Sequence, residues 1–192
     1  AGADKVPVFY KPFQIEAAEG ILAWDAAKDF TVIRRAKRNM AVHYRVWSVV
    51  SPPTPAQLRS VTTDYRSILP KKDLFLLTYA RVQDRTKALA VRLTQDQPTV
   101  YDKVIAVERY FSGNQFAYSL TVPALDPVSP LDSFINDVRI GHCELYASAM
   151  AVMLRAVGIP ARVTQGYRGG EWSDTDNAYL IRKSMAHLWV EV

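Results

Sequence analysis

The sequence predicts an α+β fold in which helices pack on an antiparallel sheet and the one cysteine begins the central helix. Three observations lead to this prediction. Residues 1–50 carry short runs of β-branched and aromatic residues, residues 55–113 space their apolar side chains as helices do, and the chain alternates as strands after the apolar segment 141–158. With 192 residues, 49% of them hydrophobic, the chain can bury a sizeable core.

Residues 1–50 are predicted to be a small β-rich segment, followed by the main core over residues 51–192. The prolines of SPPTP end this segment, because proline cannot continue a central strand. About 50 residues are few for an independent sandwich, so we expect a β layer that packs on the main core. His43 is interpreted as a surface or internally bonded histidine. The predicted strands are Val6–Phe13, Ile21–Trp24, Phe30–Ile33 and Val42–Val50.

Helices are predicted next, because Pro55 suits a first helical position and apolar residues then recur every three or four positions. Asp132 is predicted to cap a short turn over Ser133–Ile135. The proline-containing loop Thr121–Pro130 either forms one wall of a cleft or is a plain connector. The predicted helices are 55–69, Tyr79–Thr94 and Pro98–Gly113, and Asn114–Leu120 is predicted to be extended.

The segment GHCELYASAMAVMLRAVG, Gly141–Gly158, predicts a buried central helix, because nearly its whole circumference is apolar. It should end at Gly158, before Ile159-Pro160. Cys143 falls in the first turn, where unpartnered N–H groups and the helix dipole favour a thiolate over a thiol. Cys143 is therefore a candidate nucleophile, although a lone cysteine on an apolar helix is more often a small core residue.

Alternating strands come after this helix and supply a candidate base. Alternation in the last of them places His187 on the same face as Trp189. His142 adjoins Cys143, but neighbouring side chains diverge at a helix start, so His187 is preferred as the base and His142 as a cleft-lining or surface residue. The predicted strands are Ala161–Tyr167, Ala178–Lys183 and Ala186–Val192, and RGGEWSDTDN, residues 168–177, is predicted to be a polar connection.

The motifs GHCELYASAMAVMLRAVGIPARVTQGYRGGEW and AHLWVEV, in this order, resemble the core of the transglutaminase-like superfamily, in particular its bacterial extracytoplasmic members of the TgpA type. The resemblance covers about residues 85–192. It implies a papain-like fold, with Cys143 as the nucleophile and His187 as the general base. It also implies an aspartate on the strand after that of His187.

The sequence ends at Val192, before such a strand, and begins with Ala1 rather than methionine. We therefore expect an excised or processed piece that folds but turns over little substrate. No carboxylate in the sequence replaces the aspartate by its position. Glu191 lies roughly 13 Å along the strand from His187, Glu144 diverges beside the nucleophile, and Asp174 and Asp176 lie in the polar connection.

The resemblance implies cysteine-dependent acyl transfer or hydrolysis on protein or peptide amides, in the periplasm or outside the cell. Three hypotheses stay open: a transglutaminase-type acyltransferase, a cysteine peptidase or amidase acting on cell-wall or periplasmic peptides, and a non-catalytic binding domain. No cofactor is expected. Three histidines and one cysteine show no metal-ligand spacing, and no phosphate-binding glycine loop or dinucleotide motif is present.

Most of the net charge of +5 is local, because five basic residues lie close together around a single acid, Asp29. They are Lys28, Arg34, Arg35, Lys37 and Arg38. Such a cluster is usually a solvated turn, and nucleic acid is not expected as a partner because no reader module accompanies it. An anionic bilayer or cell-wall polymer is the better functional interpretation. No apolar run reaches about 18 residues, so any membrane anchor would lie outside this sequence.

Overall fold

A computed structural model describes residues 51–61, 63–69, 76 and 82–192, together with the backbone of five strands before them. The chain separates into two compact units, Ala1–Pro53 and Thr54–Val192. Cys143 and His187 both belong to the second unit. Within the described residues, no helix is long and apolar enough to cross a membrane.

The first unit contains two small antiparallel sheets. In one the strand order is β1-β4-β3, and in the other β2 pairs with β5. The strands are β1 Asp4–Lys5, β2 Pro12–Ala17, β3 Ile21–Trp24, β4 Val32–Arg34 and β5 Tyr44–Ser48. The bounds of β3 are those predicted, whereas β2 begins only where the predicted strand Val6–Phe13 ends. His43 lies outside the described residues, and so do the members of the basic cluster around Asp29 other than Arg34.

Four helices open the second unit: α1 Pro55–Arg59, α2 Tyr65–Ile68, α3 Asp84–Thr94 and α4 Val100–Ser112. A capping box begins α1, because the Gln57 N–H donates to Thr54 Oγ1 and the Thr54 N–H donates to Gln57 Oε1. The prediction of one helix over residues 55–69 is wrong. The Ser60 hydroxyl donates to the Gln57 carbonyl at 2.8 Å, and this bond helps to end α1.

Both longer helices agree with the predicted spacing. In α4 the Thr99 hydroxyl accepts from the Asp102 N–H at 3.2 Å, so the helix begins one residue after this cap and ends before Gly113. The start predicted for α3 was Tyr79, but the described helix begins at Asp84. Residues 79–81 are not described.

The central helix is confirmed. It comes after the elements β6 Ala117–Tyr118, α5 Pro130–Ser133, a π-helical turn Phe134–Val138 and β7 Ile140–Gly141, and is labelled α6, Cys143–Ala156. Its end is a Schellman motif, with Gly158 at φ +78° and the Ile159 N–H donating to the Leu154 carbonyl at 3.0 Å. Arg155 Nε donates to the Ala161 carbonyl at 2.6 Å, and partial burial lowers the pKa of Arg155.

The hydrophobic core of the second unit surrounds α6. Side chains from α3, α4, the π-helical turn and the short connection that follows α6 pack against it, which confirms that this helix is central. The buried cluster consists of Leu89, Ala90, Val107, Phe111, Phe134, Ile135, Ala149, Ala151, Met153, Leu154, Ile159 and Ala161.

Two antiparallel strand pairs complete the unit. They are formed by β8 Arg162–Tyr167 with β11 Ala186–Glu191, and by β9 Glu171–Ser173 with β10 Ala178–Leu180. The prediction that residues 168–177 are only a connection is wrong, since β9 lies within them. The Trp172 and Tyr179 rings meet edge to face at 5.0 Å across this hairpin and support the pairing. Helices and paired strands together confirm the α+β class.

A polar network attaches the segment before α6 to helix α3. The buried Asp132 carboxylate accepts from Thr86 Oγ1 at 2.5 Å and from Arg85 Nε at 2.6 Å. The Asn136 amide donates to Thr86 Oγ1 at 2.9 Å. Arg85 also donates to both Asp137 oxygens and thereby lowers the pKa of Asp137. The predicted capping role of Asp132 is wrong, because Asp132 lies inside α5 and bonds to another helix.

Thr86→Val tests this network, since valine keeps the shape but removes a hydroxyl that both donates and accepts. We expect the free energy of unfolding to fall by about 1–3 kcal/mol, because Asp132 and Asn136 each lose a buried partner. The matched control is Thr94→Val, where the lost hydroxyl is equally buried but bonds within its own helix to the Ala90 carbonyl. Urea unfolding of both variants measures the difference, and equal losses would contradict the assigned role.

Candidate active site

Cys143 is the first residue of α6, and its side chain is half-buried. His142 occupies the N-cap position with an extended backbone, φ −111° and ψ 178°, and its side chain does not cap the helix. The first N–H groups of a helix have no intrahelical acceptor, and the His142 side chain supplies none here. The thiol therefore belongs to the helix turn whose N–H groups have no intrahelical acceptor.

The chain enters α6 through a close contact at Gly141. A Cβ atom on Gly141 would lie 2.8 Å from Phe134 Cε2 and 2.8 Å from Leu145 Cδ1, so only glycine fits. Gly141 also pairs with Tyr118 in the parallel bridge between β6 and β7. The Ser119 N–H donates to the Gly141 carbonyl at 2.8 Å and extends this pairing. The residues before the cysteine are thus held both by packing against Phe134 and Leu145 and by pairing with β6.

Aromatic rings pack against the first turn of α6. Tyr146 lies 5.1 Å from Phe134, centroid to centroid, and Tyr118 stacks on Tyr146 at 6.2 Å with 27° between the ring planes. Burial raises the pKa of Tyr146. Cys143 and Tyr146 are three residues apart on the helix, which places their Cβ atoms about 5–6 Å apart. Tyr118 therefore packs on a residue that lies one helical turn after Cys143.

His187 lies near the start of β11, opposite Gly166 of β8, and α6 packs on β11. The Trp189 indole covers Gly166, since a Cβ atom there would lie 2.4 Å from Trp189 Cη2. Val190 packs on the core, so alternation along the strand places His187 and Trp189 together on the other face. The indole packs beside the position of the imidazole, as the sequence suggested.

A cavity of about 350 Å³ brings residues from three separate segments to His187. Its lining consists of Tyr118, Arg168, Ser184, Met185, Ala186 and His187. Cys143 is not part of this lining, and it does not hydrogen-bond to His187 in the described part of the chain. The two residues are linked through Tyr118, which lines the cavity and stacks on the helix turn that Cys143 begins.

None of the carboxylates that the structure describes hydrogen-bonds to the His187 ring. Glu191 accepts from Arg162 at 2.8 Å, Asp174 accepts from the Trp172 indole at 2.8 Å, and Asp176 accepts from the Ser173 hydroxyl at 2.7 Å. Each candidate therefore has another partner, in keeping with the positions expected from the sequence. Glu144 is exposed on the first turn of α6.

Sequence reasoning did not single out four of the cavity residues: Tyr118, Arg168, Ser184 and Met185. Two of them lie in segments that the sequence had marked, one as a predicted extended stretch and one as part of a family motif. Tyr118 belongs to the predicted extended stretch Asn114–Leu120, and Arg168 lies within the GYRGGEW motif. Among the described side chains, no group of three His, Cys, Asp or Glu residues is arranged to hold a metal ion.

Comparison with known proteins connects this arrangement to one family. The sequence model of the transglutaminase-like superfamily matches residues 87–192. A protein-glutamine gamma-glutamyltransferase of Pseudomonas aeruginosa is 38% identical over 163 residues, which are 85% of this chain and 23% of that protein. The uncharacterized protein YebA of Bacillus subtilis is 40% identical over 116 residues, 57% of this chain and 16% of that protein. The chain thus spans less than a quarter of either relative.

The fold has a counterpart among solved structures. The crystal structure of the periplasmic domain of TgpA from Pseudomonas aeruginosa, bound to ethylmercury, is similar with a TM-score of 0.71 and 31% sequence identity. The similarity covers 97% of this chain and 65% of that domain. It confirms the predicted fold, an α+β core of the transglutaminase-like type.

Reactivity of Cys143 tests whether the helix start activates the thiol. We expect iodoacetamide to label Cys143 in the folded protein near neutral pH faster than it labels an unstructured cysteine peptide, because the thiolate is the reacting form. His187→Ala should slow this labelling, and the matched variant His142→Ala should leave it nearly unchanged. Mass spectrometry of timed samples gives the rates. Labelling only after denaturation would make Cys143 a core residue.

Gly166→Ala tests the packing beside His187. The added Cβ atom would displace the Trp189 indole, so we expect a loss of about 1–3 kcal/mol in the free energy of unfolding and an altered near-ultraviolet circular dichroism spectrum. Trp189→Phe removes the ring atoms that clash. The double variant should therefore be more stable than the sum of the two single losses, and strict additivity would contradict the contact.

Proposed function

The chain belongs to the transglutaminase-like superfamily as a domain of the TgpA type, and on this premise we propose that it transfers acyl groups from glutamine side chains of proteins or peptides. Cys143 is the proposed nucleophile and His187 the proposed general base. The observation that carries this proposal is the position of the single cysteine at the start of α6, together with the packing of α6 on β11, the strand that carries His187.

The proposed reaction begins when the His187 imidazole takes the proton from the Cys143 thiol. The thiolate then attacks the carboxamide carbon, and the helix-start N–H of Cys143 donates to the developing oxyanion. When the tetrahedral intermediate collapses, the carbon–nitrogen bond breaks, and His187 returns its proton to the nitrogen, which leaves as ammonia. The product of this half-reaction is a thioester on Cys143.

In the second half-reaction a primary amine attacks the thioester, and His187 takes the proton of the amine while the thiolate leaves. The product is a new amide bond, and therefore a cross-link when both substrates are proteins. Water in place of the amine would give hydrolysis, as in a cysteine peptidase or amidase. Transfer is preferred here because the relative that aligns with 85% of this chain is named a gamma-glutamyltransferase.

The missing hydrogen bond between Cys143 and His187 is compatible with this function, because catalytic hydrogen bonds are often long without substrate. An orienting carboxylate for His187 would come from outside the described residues. The domain of TgpA that this chain resembles is periplasmic, and we place this chain outside the cytoplasm on the same ground. A polypeptide or peptide with an accessible glutamine is the proposed substrate.

A parallel assay distinguishes transfer from hydrolysis. A glutamine-containing peptide is supplied with a fluorescent primary amine, and amine incorporation and free glutamate are measured together. We expect incorporation to exceed hydrolysis at millimolar amine, to disappear in Cys143→Ala, and to fall by about 10²–10⁴-fold in His187→Ala. Both the 192-residue chain and a version extended past Val192 are assayed, because the resemblance implies a third residue beyond His187.

His142→Ala is the matched control, since it removes a histidine that adjoins the nucleophile but is not proposed as the base. It should retain most of the activity. If His142→Ala is as inactive as His187→Ala, the assignment of the base is wrong. If neither the chain nor its extended version releases ammonia from any glutamine peptide, the domain is non-catalytic and binds rather than reacts.

A further inference from the structure

We propose that the cavity beside His187 is the subsite for the acyl donor, and that Arg168 selects donors with a carboxylate next to the reacting glutamine. This inference rests on the proposed function, because it takes the residues near Cys143 and His187 as the place where the donor reacts. It adds a substrate class, acidic peptide donors, and a specificity-determining residue.

The first argument is position. Tyr118 and His187 line the same cavity, and Tyr118 is also paired with Gly141 and stacked on Tyr146. Gly141 precedes Cys143 by two residues, so its Cα atom lies within about 7 Å of that of the cysteine. His187, the proposed base, lines this cavity, so a donor whose carboxamide lies within reach of the imidazole has its neighbouring residue near the cavity. The volume of about 350 Å³ is at the lower end of ligand pockets and suits one side chain with its flanking backbone.

The second argument is charge. The cavity lining contains a guanidinium, two hydroxyls, a thioether and an imidazole, but no carboxylate. Arg168 is exposed, and no carboxylate of the described residues pairs with it. Glu171, three positions further on at the start of β9, is already paired with Arg182 at 2.9 Å. The positive charge of Arg168 is thus left for a ligand, and a carboxylate is the anion that a guanidinium binds through two parallel hydrogen bonds.

The third argument is preorganisation. The Arg168 N–H donates to the Met185 carbonyl at 2.8 Å, and Met185 ends the 3₁₀ turn Lys183–Met185 directly before β11. The backbone of Arg168 is therefore fixed relative to the strand that carries His187. Because this tie is made by the backbone, replacing the side chain leaves it intact. The exposed Tyr118 ring, which lines the same cavity, offers an apolar surface for the stem of the bound residue.

Two donor peptides test the proposal. They differ only in the residue next to the reacting glutamine, which is aspartate in one and asparagine, nearly the same shape without charge, in the other. With the extended protein, we expect a higher kcat/KM for the aspartate donor, expressed mainly in KM because the contact is made in ground state and transition state alike. Arg168→Glu should raise KM for the aspartate donor about two- to five-fold, as expected for the loss of one exposed ion pair, and reverse the preference.

The matched control is Arg66→Glu, which makes the same charge change at an exposed residue of α2 outside the cavity. It should keep the preference of the parent protein. The preference should also weaken with added salt, because the ion pair is exposed to solvent. Arg168→Gln provides a neutral second variant, in which the preference should disappear without reversing.

A binding measurement separates this inference from the proposed function. The Cys143→Ala form is titrated with the two peptides, each carrying a fluorescent label, and anisotropy gives the dissociation constants without turnover. If the aspartate peptide binds more tightly and Arg168→Glu abolishes this difference, the subsite is supported. This holds even if the parent protein turns over neither donor and the proposed function is wrong. Equal binding of both peptides, or a preference that Arg168→Glu does not change, overturns the proposal.

Discussion

The close approach of the chain to Phe134 and Leu145 at Gly141 is the constraint on which the position of the thiol depends. A hydrogen atom is the only side chain that this space accepts. Because Gly141 fits there, β7 can pass beside the Phe134 ring, bond to β6 and lead into α6 two residues later. A larger residue would have to displace a fully buried ring, and the start of α6 would move with it.

Two kinds of interaction hold the segment that precedes this glycine. Apolar packing acts through the rings of Phe134, Phe116 and Tyr146, and the polar network acts through Thr86 and Asp132. The apolar contacts contribute most of the burial free energy, but they are not directional. Hydrogen bonds to a buried carboxylate require a particular geometry, so the network determines how residues 130–138 are oriented on α3. Together they fix the segment that leads into the start of α6.

The elements that the sequence predicted well are those whose pattern involves only residues close together in the chain. The apolar circumference of α6, the left-handed Gly158 and the alternation around His187 each depend on neighbouring residues and were confirmed in place. The parallel pairing of Tyr118 with Gly141 joins residues far apart in sequence, and two-residue strands leave no periodicity to detect. The polar composition of residues 168–177 did not predict strand β9, because Trp172 packs on Tyr179, which lies across the hairpin in the other strand. Asp132 looked like a cap because its partner lies on another helix.

The two candidate residues are held differently. Cys143 is held by its short connection to the closely packed Gly141 and by the buried cluster around α6. On the histidine side, β11 is anchored at its far end by the Arg162–Glu191 ion pair and through Val190 in the core, while His187 adjoins the 3₁₀ turn at the other end. A ligand that pairs with Arg168 would act on that turn through the backbone bond to Met185. Replacing the Arg168 side chain leaves this backbone bond in place, so the substitution should weaken binding of the proposed donor while His187 keeps its position, in agreement with an effect mainly on KM.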